Sequence, residues 1–200
     1  MTRTHFGNPA IVLIAALFLL PGACSRPSSP AAGEATPTAF LNARLRGAID
    51  ADLSWNEPEL QTEGGIRPDG RGIRVVLAGT MGAEERRIRL VFGIAAAPGE
   101  SSSKAVPTNL TLIVEGGNRV YATLGDGKCS VDALAQQPDT TPDSKDTGST
   151  GGHYWVSARG FCTEPAATLD GSERVLLSRF DFRSRIHFEA LDGHSLAARN

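Results

Sequence analysis

Lysine is almost missing from this sequence of 200 residues: there are three, against 17 arginines. Lys and Arg together number 20 and Asp and Glu 22, giving a net charge of -2. Without a basic excess the chain is not built as a dedicated nucleic-acid binder, and no nucleic-acid partner is expected. It is not a solvated disordered chain either, because 40% of it is hydrophobic and only 21% charged. Past residue 20 no apolar run is long enough to cross a bilayer core of about 30 Å as a helix. Cysteine is scarce, at three residues, with no C-x-x-C spacing and no histidine cluster nearby. That excludes the usual tetrahedral zinc set, so neither a metal nor another cofactor is expected. No internal repeat is found, and the length suits one domain.

What is there begins with an address. Residues 1–9 carry Arg3 and no acid, and Ala10 opens an unbroken apolar run of eleven residues that ends at Leu20. This suits the apolar core of an export signal. The run closes in Pro21, Gly22, Ala23 and Cys24. Two small residues before a cysteine resemble the lipobox of bacterial lipoproteins, with Pro21 standing where that family usually has Leu. The resemblance covers only the first two dozen residues. It implies that Cys24 is lipidated and becomes the first residue of the mature protein. The alternative is an ordinary secreted protein cut near Ala23. Residues 24–37 are rich in Pro, Ser and Ala and read as an extended tether. The expected organisation is therefore a signal peptide over 1–23, a tether over 24–37 and a β domain over 38–200.

Once Cys24 is assigned to lipid, Cys129 and Cys162 remain as a pair. In an oxidising compartment an even pair is most simply a disulfide. From residue 38 onward the dominant hydrophobic period is two. Leu41, Ala43, Leu45, Ile49, Ala51 and Leu53 read as one half-buried strand bent at Gly47, and 54–72 reads as loop. Further strands are predicted over 73–78, 86–94, 108–114, 119–124, 129–134, 154–162, 174–182 and 185–190. Cys129, Val131 and Ala133 are expected on one side of their strand. Residues 135–152 carry two prolines, three Asp and a Gly-rich run, and read as a long mobile loop whose base a Cys129–Cys162 bridge would clamp. About nine short strands with Gly-rich turns predict an all-β fold, an antiparallel β-sandwich or a barrel-like sheet.

Candidate chemistry is thin. Ser101 to Lys104 has the S-x-x-K spacing of penicillin-recognising serine enzymes, but Pro107 closes the segment before a helix could bring the Lys to the Ser hydroxyl. A flexible polar loop is the simpler reading. His153 and His187 are the histidines within the strand pattern, at a loop edge and an outward strand position. No G-x-S-x-G elbow exists to serve them. Asp139, Asp143 and Asp146 lack the spacing of a calcium loop. Trp155 and Phe161 share a strand face, and core packing is expected of them. The most suggestive feature is arginine: Arg44, Arg46, Arg87, Arg89, Arg159 and Arg185 all occupy outward strand positions. On neighbouring strands they would form a basic face for an anionic lipid, a glycan or an acidic envelope protein. Asp50, Asp52, Glu84, Glu85 and Glu189 stand among them and would partly neutralise it.

Two functional expectations follow. The first is a binding or structural protein of the cell envelope, held to the membrane by lipid and facing the periplasm. The second is a periplasmic or secreted hydrolase on a β scaffold, for which His153 or His187 would have to meet both a Ser and an Asp. The lipid anchor is tested by Cys24→Ala, which should move the protein from the membrane to the soluble fraction. Unchanged membrane partitioning would remove the lipobox assignment.

Overall fold

The computed structural model describes residues 38–141, apart from 84 and 118, and residues 151–189. They belong to the second of the two units into which the chain divides, Pro37–Asn200. The signal, Cys24, the tether and the segment 142–150 with Asp143 and Asp146 lie outside the described residues.

The period-two pattern forms eleven strands: β1 (Phe40–Gly47), β2 (Ala51–Asn56), β3 (Gln61–Ile66), β4 (Ile73–Met81), β5 (Arg86–Ile94), β6 (Val106–Val114), β7 (Arg119–Ala122), β8 (Cys129–Pro138), β9 (Gly151–Cys162), β10 (Ala166–Ala167) and β11 (Arg174–Glu189). A single 3-10 turn, Asp126–Lys128, is the one helical element among the described residues. No described helix is long and apolar enough to cross a membrane. All strand pairs are antiparallel.

The sheet runs β2-β1-β11-β10-β7-β6-β5-β4-β3, and β8 and β9 bridge β6 to β11 beside the short β7–β10 pair. Its two ends then meet. The Trp55 indole of β2 lies over Gly79 of β4 and donates its N–H to the Thr80 carbonyl at 2.7 Å. A Cβ at Gly79 would stand 2.5 Å from the indole, so only glycine admits this contact. On the other side, Thr62 Oγ1 of β3 donates to the Arg185 carbonyl at 3.5 Å. Gly64 faces Ile186 of β11 so closely that a Cβ would come within 2.7 Å of its side chain. Bringing the ends together shields edges that would otherwise invite pairing with another chain. The architecture is all-β and barrel-like.

The interior is one apolar cluster fed by alternate residues of nearly every strand. At its centre the Phe92 ring lies 4.8 Å from that of Phe180 and 5.2 Å from that of Phe182, spacings at which aromatic pairs attract. The expected inward positions Leu41, Ala43, Leu45, Val156, Ala158, Ile186 and Phe188 are all buried.

Four expectations are corrected. The stretch from Leu41 to Leu53 is not one bent strand but a hairpin, β1 and β2, because Gly47 takes a φ of 113° that turns the chain. Residues 54–72 are not all loop: β3 pairs with β4 from Gln61 to Ile66. The two final strands are one, since β11 runs 16 residues without a break. The loop expected over 135–152 is shorter, because β8 continues to Pro138 and β9 begins at Gly151. The reason is a bulge: Val131 pairs with Gly160 and Ala133 with Arg159, so Asp132 is an extra residue. Beyond it the phase reverses, Ala133 turns outward, and Leu134 and Gln136 turn in.

Cys129 and Cys162 are bonded, as expected, and sit directly opposite each other where β8 and β9 begin and end. Both are buried in the common core. Cys162→Ala should cost about 2–5 kcal/mol, the usual loss for a native bridge in a small exported domain. Denaturant unfolding of the two proteins measures it, and a loss well below that range would mean that strand pairing alone holds this corner.

Candidate functional site

The bulge in β11 sets up the most polar outer surface. Arg44 pairs with Arg179 but Leu45 with Leu177, so Ser178 is extra. Inward positions run Val175 and Leu177, then Phe180, Phe182, Ser184, Ile186 and Phe188. The outward row after the bulge is therefore Arg179, Asp181, Arg183, Arg185, His187 and Glu189. Cross-strand neighbours extend it in both directions. Asp181 faces Asn42 of β1 and Arg159 of β9, Arg183 faces Phe40 and Ser157, and Arg185 faces Trp155.

A groove of about 460 Å³ crosses this surface. Its floor is made of short side chains, Ala133, Ala135 and Ser157, and Arg159 and Asp181 line one side. The opposite wall is Ser101, Ser102 and Ser103. Sequence analysis expects a flexible loop here, yet the segment is tied down. Ser102 exchanges two backbone hydrogen bonds with Leu134, at 2.8 and 2.9 Å. Gln136, turned inward by the β8 bulge, accepts from the Gly99 N–H and donates to the carbonyls of Ala97 and Glu100 at 2.9 and 2.6 Å. Its own N–H donates to Ser101 Oγ at 2.8 Å. Ser101 is thus a wall residue bonded to the backbone, and Ser102 Oγ accepts from the Lys104 N–H at 3.1 Å. The S-x-x-K spacing forms no helix and no Ser–Lys contact of catalytic type.

The six predicted arginines do not form one basic face. Arg87 and Arg89 lie on β5, away from the others, and both bind Glu115 at 3.1 Å, with Glu63 3.7 Å from Arg89. Arg44 meets Asp52 at 2.7 Å, and Arg46 meets Asp50 at 3.0 Å and Asp52 at 3.5 Å. Arg159 stands 3.6 Å from Asp181 with both side chains largely in water. Arg185 contacts Asp139 at 2.6 Å. Each of the six has an acidic partner, so their charge is largely offset.

Two arginines that sequence analysis does not single out stand differently. Arg179 and Arg183 have no acidic partner among the described residues. Arg183 Nε donates to Ser157 Oγ at 3.1 Å on the groove floor. Arg179 is exposed in the row beside Arg44. On the face formed by β2, β1, β11 and β9, six arginines (44, 46, 159, 179, 183 and 185) meet five acids (Asp50, Asp52, Asp139, Asp181 and Glu189). The signal that could have found them is the uninterrupted alternation from 179 to 189. It is hidden when 174–182 and 185–190 are read as separate strands, since Arg183 then falls in the gap.

Asp139 is also misjudged from sequence. Its side chain is only 2% exposed, not solvated in a mobile loop. Its N–H donates to the His153 carbonyl at 2.8 Å, and Oδ1 accepts from the Thr141 N–H at 3.0 Å. Oδ2 lies against Arg185 Nε, as an ion pair not aligned as a hydrogen bond. Burial pushes the carboxyl up, but the Thr141 bonds and the Arg185 charge outweigh it and hold the group below its ordinary value. His153 and His187 pack against each other across β9 and β11 with ring centroids 4.6 Å apart and planes tilted by 47°. Neither ring is hydrogen-bonded to a Ser or an Asp among the described residues, so no nucleophile–base pair is assembled. Trp155 packs partly against the core, whereas Phe161 is exposed rather than buried. Among the described residues no three His, Cys, Asp or Glu side chains are grouped to hold a metal.

Compared with protein families, with curated proteins and with solved structures, the chain matches none.

Asp139→Asn keeps the hydrogen-bonding shape but leaves Arg185 without its counter-charge, and should cost about 1–3 kcal/mol at neutral pH. Because the folded carboxyl titrates below its unfolded value, this difference is complete above the ordinary aspartate range. It is lost as pH falls through the depressed folded value. Unfolding of both proteins between pH 7 and pH 2 checks it: a gap that stays constant on acidification would show that charge is not the cause.

Proposed function

We propose that the protein is a lipid-anchored binding protein of the cell envelope that takes up an anionic glycan on the outer face of β1, β11, β9 and β8. The observation that carries this is the pair Arg179 and Arg183. Neither has an acidic partner among the described residues, and Arg183 bonds Ser157 on the floor of a groove walled by serines, while the six other outward arginines considered are paired. Guanidinium groups bind carboxylate or sulfate in a fork, and serine hydroxyls can donate to and accept from sugar hydroxyls. The groove is open and its floor is low, which suits a strand of polymer laid along it better than a small molecule enclosed in it. The lipobox-like Cys24 and the proline-rich tether support the location: a domain held near a membrane and free to reach outward. Such binding would be weakened by salt, since the contacts lie at the surface within reach of screening ions.

The test uses the mature lipidated chain in detergent. It is titrated with a polyuronate and with a neutral dextran of the same length. Tighter binding of the polyuronate is expected, falling at least about tenfold with Arg179→Glu plus Arg183→Glu, as expected for replacing two attractive contacts by repulsive ones. Arg71→Glu plus Arg74→Glu, on another part of the surface, should leave it unchanged. Equal affinity for both polymers, or equal loss from both double variants, would overturn the proposal.

A further inference from the structure

His153 and His187 take no part in the groove, and nothing else described explains their arrangement. They are directly opposed on neighbouring antiparallel strands, His153 on β9 and His187 on β11, both on the outer surface. Their ring centroids are 4.6 Å apart, and the planes are tilted by 47° rather than stacked flat. Neither ring is held by a hydrogen bond among the described residues. His187 Nδ1 is enclosed and has no hydrogen-bond partner among the described residues. Neither imidazole would have to break a bond to bind something else.

We propose that this cross-strand pair is a chelating site for a divalent transition metal ion that accepts right-angled nitrogen ligands, Cu(II) or Ni(II). Imidazole nitrogens bind such ions at about 2.0–2.1 Å, which places each ring centroid about 3.2 Å from the ion. Two rings at a right angle are then about 4.5 Å apart, and at the tetrahedral angle about 5.2 Å. The observed 4.6 Å leaves the two centroids at the first spacing, so the rings need only turn their nitrogens toward a common point. The strands fix the two Cα positions, so little chain entropy opposes closing the chelate. The nearest cationic side chain in the row, Arg185, is paired with Asp139, and Glu189 is the next outward residue beyond His187. The ion therefore does not meet an uncompensated positive charge. Among the described residues no third ligand is grouped with the pair. The remaining coordination positions would be filled by water or by an oxygen or nitrogen of an external molecule. The affinity expected is accordingly that of a two-imidazole site, in the range of about 1–100 µM, well short of a closed structural centre.

The experiment uses the mature chain purified without a polyhistidine tag and stripped with chelator, titrated with Cu(II) by calorimetry. One ion per chain is expected, with two-nitrogen hyperfine structure in the Cu(II) electron paramagnetic resonance spectrum. His153→Ala and His187→Ala should each weaken binding at least about tenfold, whereas His194→Ala should not. A second measurement needs no variant: in the unaltered protein, substoichiometric Cu(II) should broaden the ring-proton resonances of His153 and His187 before any others. No binding below about 1 mM, or broadening confined to other residues, would overturn the site.

Discussion

Backbone pairing along β11 is the constraint on which the rest of the structure depends. One edge of this 16-residue strand takes β1 over Val175 to Arg183 and then runs beside β3. The other takes β10 at its start and β9 from Phe180 to the end. Because side chains alternate, its register decides at once which residues fill the barrel and which form the outer row. The extra residue Ser178 resets that alternation midway. Without it, either Val175 and Leu177 or Phe180 and Phe182 would face water. The same bulge therefore places the apolar residues on both sides of it in the core and hands Arg179, Asp181, Arg183, Arg185 and His187 to the outer face.

Closure follows from β11 and from two places where a side chain is missing. Gly64 lets β3 approach Ile186, and Gly79 lets the Trp55 indole of β2 settle over β4. Each joins ends of the sheet that have no ladder of backbone bonds between them, so shape stands in for pairing. At the opposite corner the Cys129–Cys162 bridge ties β8 to β9 where β8 also reaches β6. The second bulge, at Asp132, lies just beyond that bridge. By turning Gln136 inward it provides the polar group that pins residues 97–101 and makes them a wall.

Much of this was legible in the sequence where a single period ran undisturbed. The strands carrying Ile88, Leu90, Phe92 and Ile94, or Val156 and Ala158, could be read directly, and the two cysteines fell on inward positions of strands that do meet. Legibility failed where the period changed phase. A bulge adds one residue with no signature of composition, so Ala133 was expected inside, and β11 was divided at the point where its outward row is most informative. It failed again at β3, whose two adjacent glycines mimic a turn: Gly64 serves close packing against Ile186, which sequence spacing does not express. Asp139 was taken for a loop residue because its partners, Arg185 and Thr141, come from a strand far along the chain and from a local turn.

The charge pattern separates the two sides of the barrel. Over β3 to β6, Glu63, Arg89, Glu115 and Arg87 interlock, and the outward Val76 and Ala78 of β4 are buried beneath this side. There the arginines extend over apolar surface with their long stems while their heads remain hydrated and paired. Over β1, β11 and β9 the arrangement is looser: Arg159 is far more exposed than Arg87 or Arg89, and Arg183 rests on a serine hydroxyl. Exposed ion pairs contribute little to stability, about 0–1 kcal/mol each, so folding alone places no demand for two further cations on this face. Leaving Arg179 and Arg183 without acidic partners among the described residues costs a little repulsion against Arg44, Arg159 and Arg185, which an anion lying among them would offset. The looser pairing around Arg183, beside a groove walled by serines, is the physical reason to look for a ligand on the β11 face.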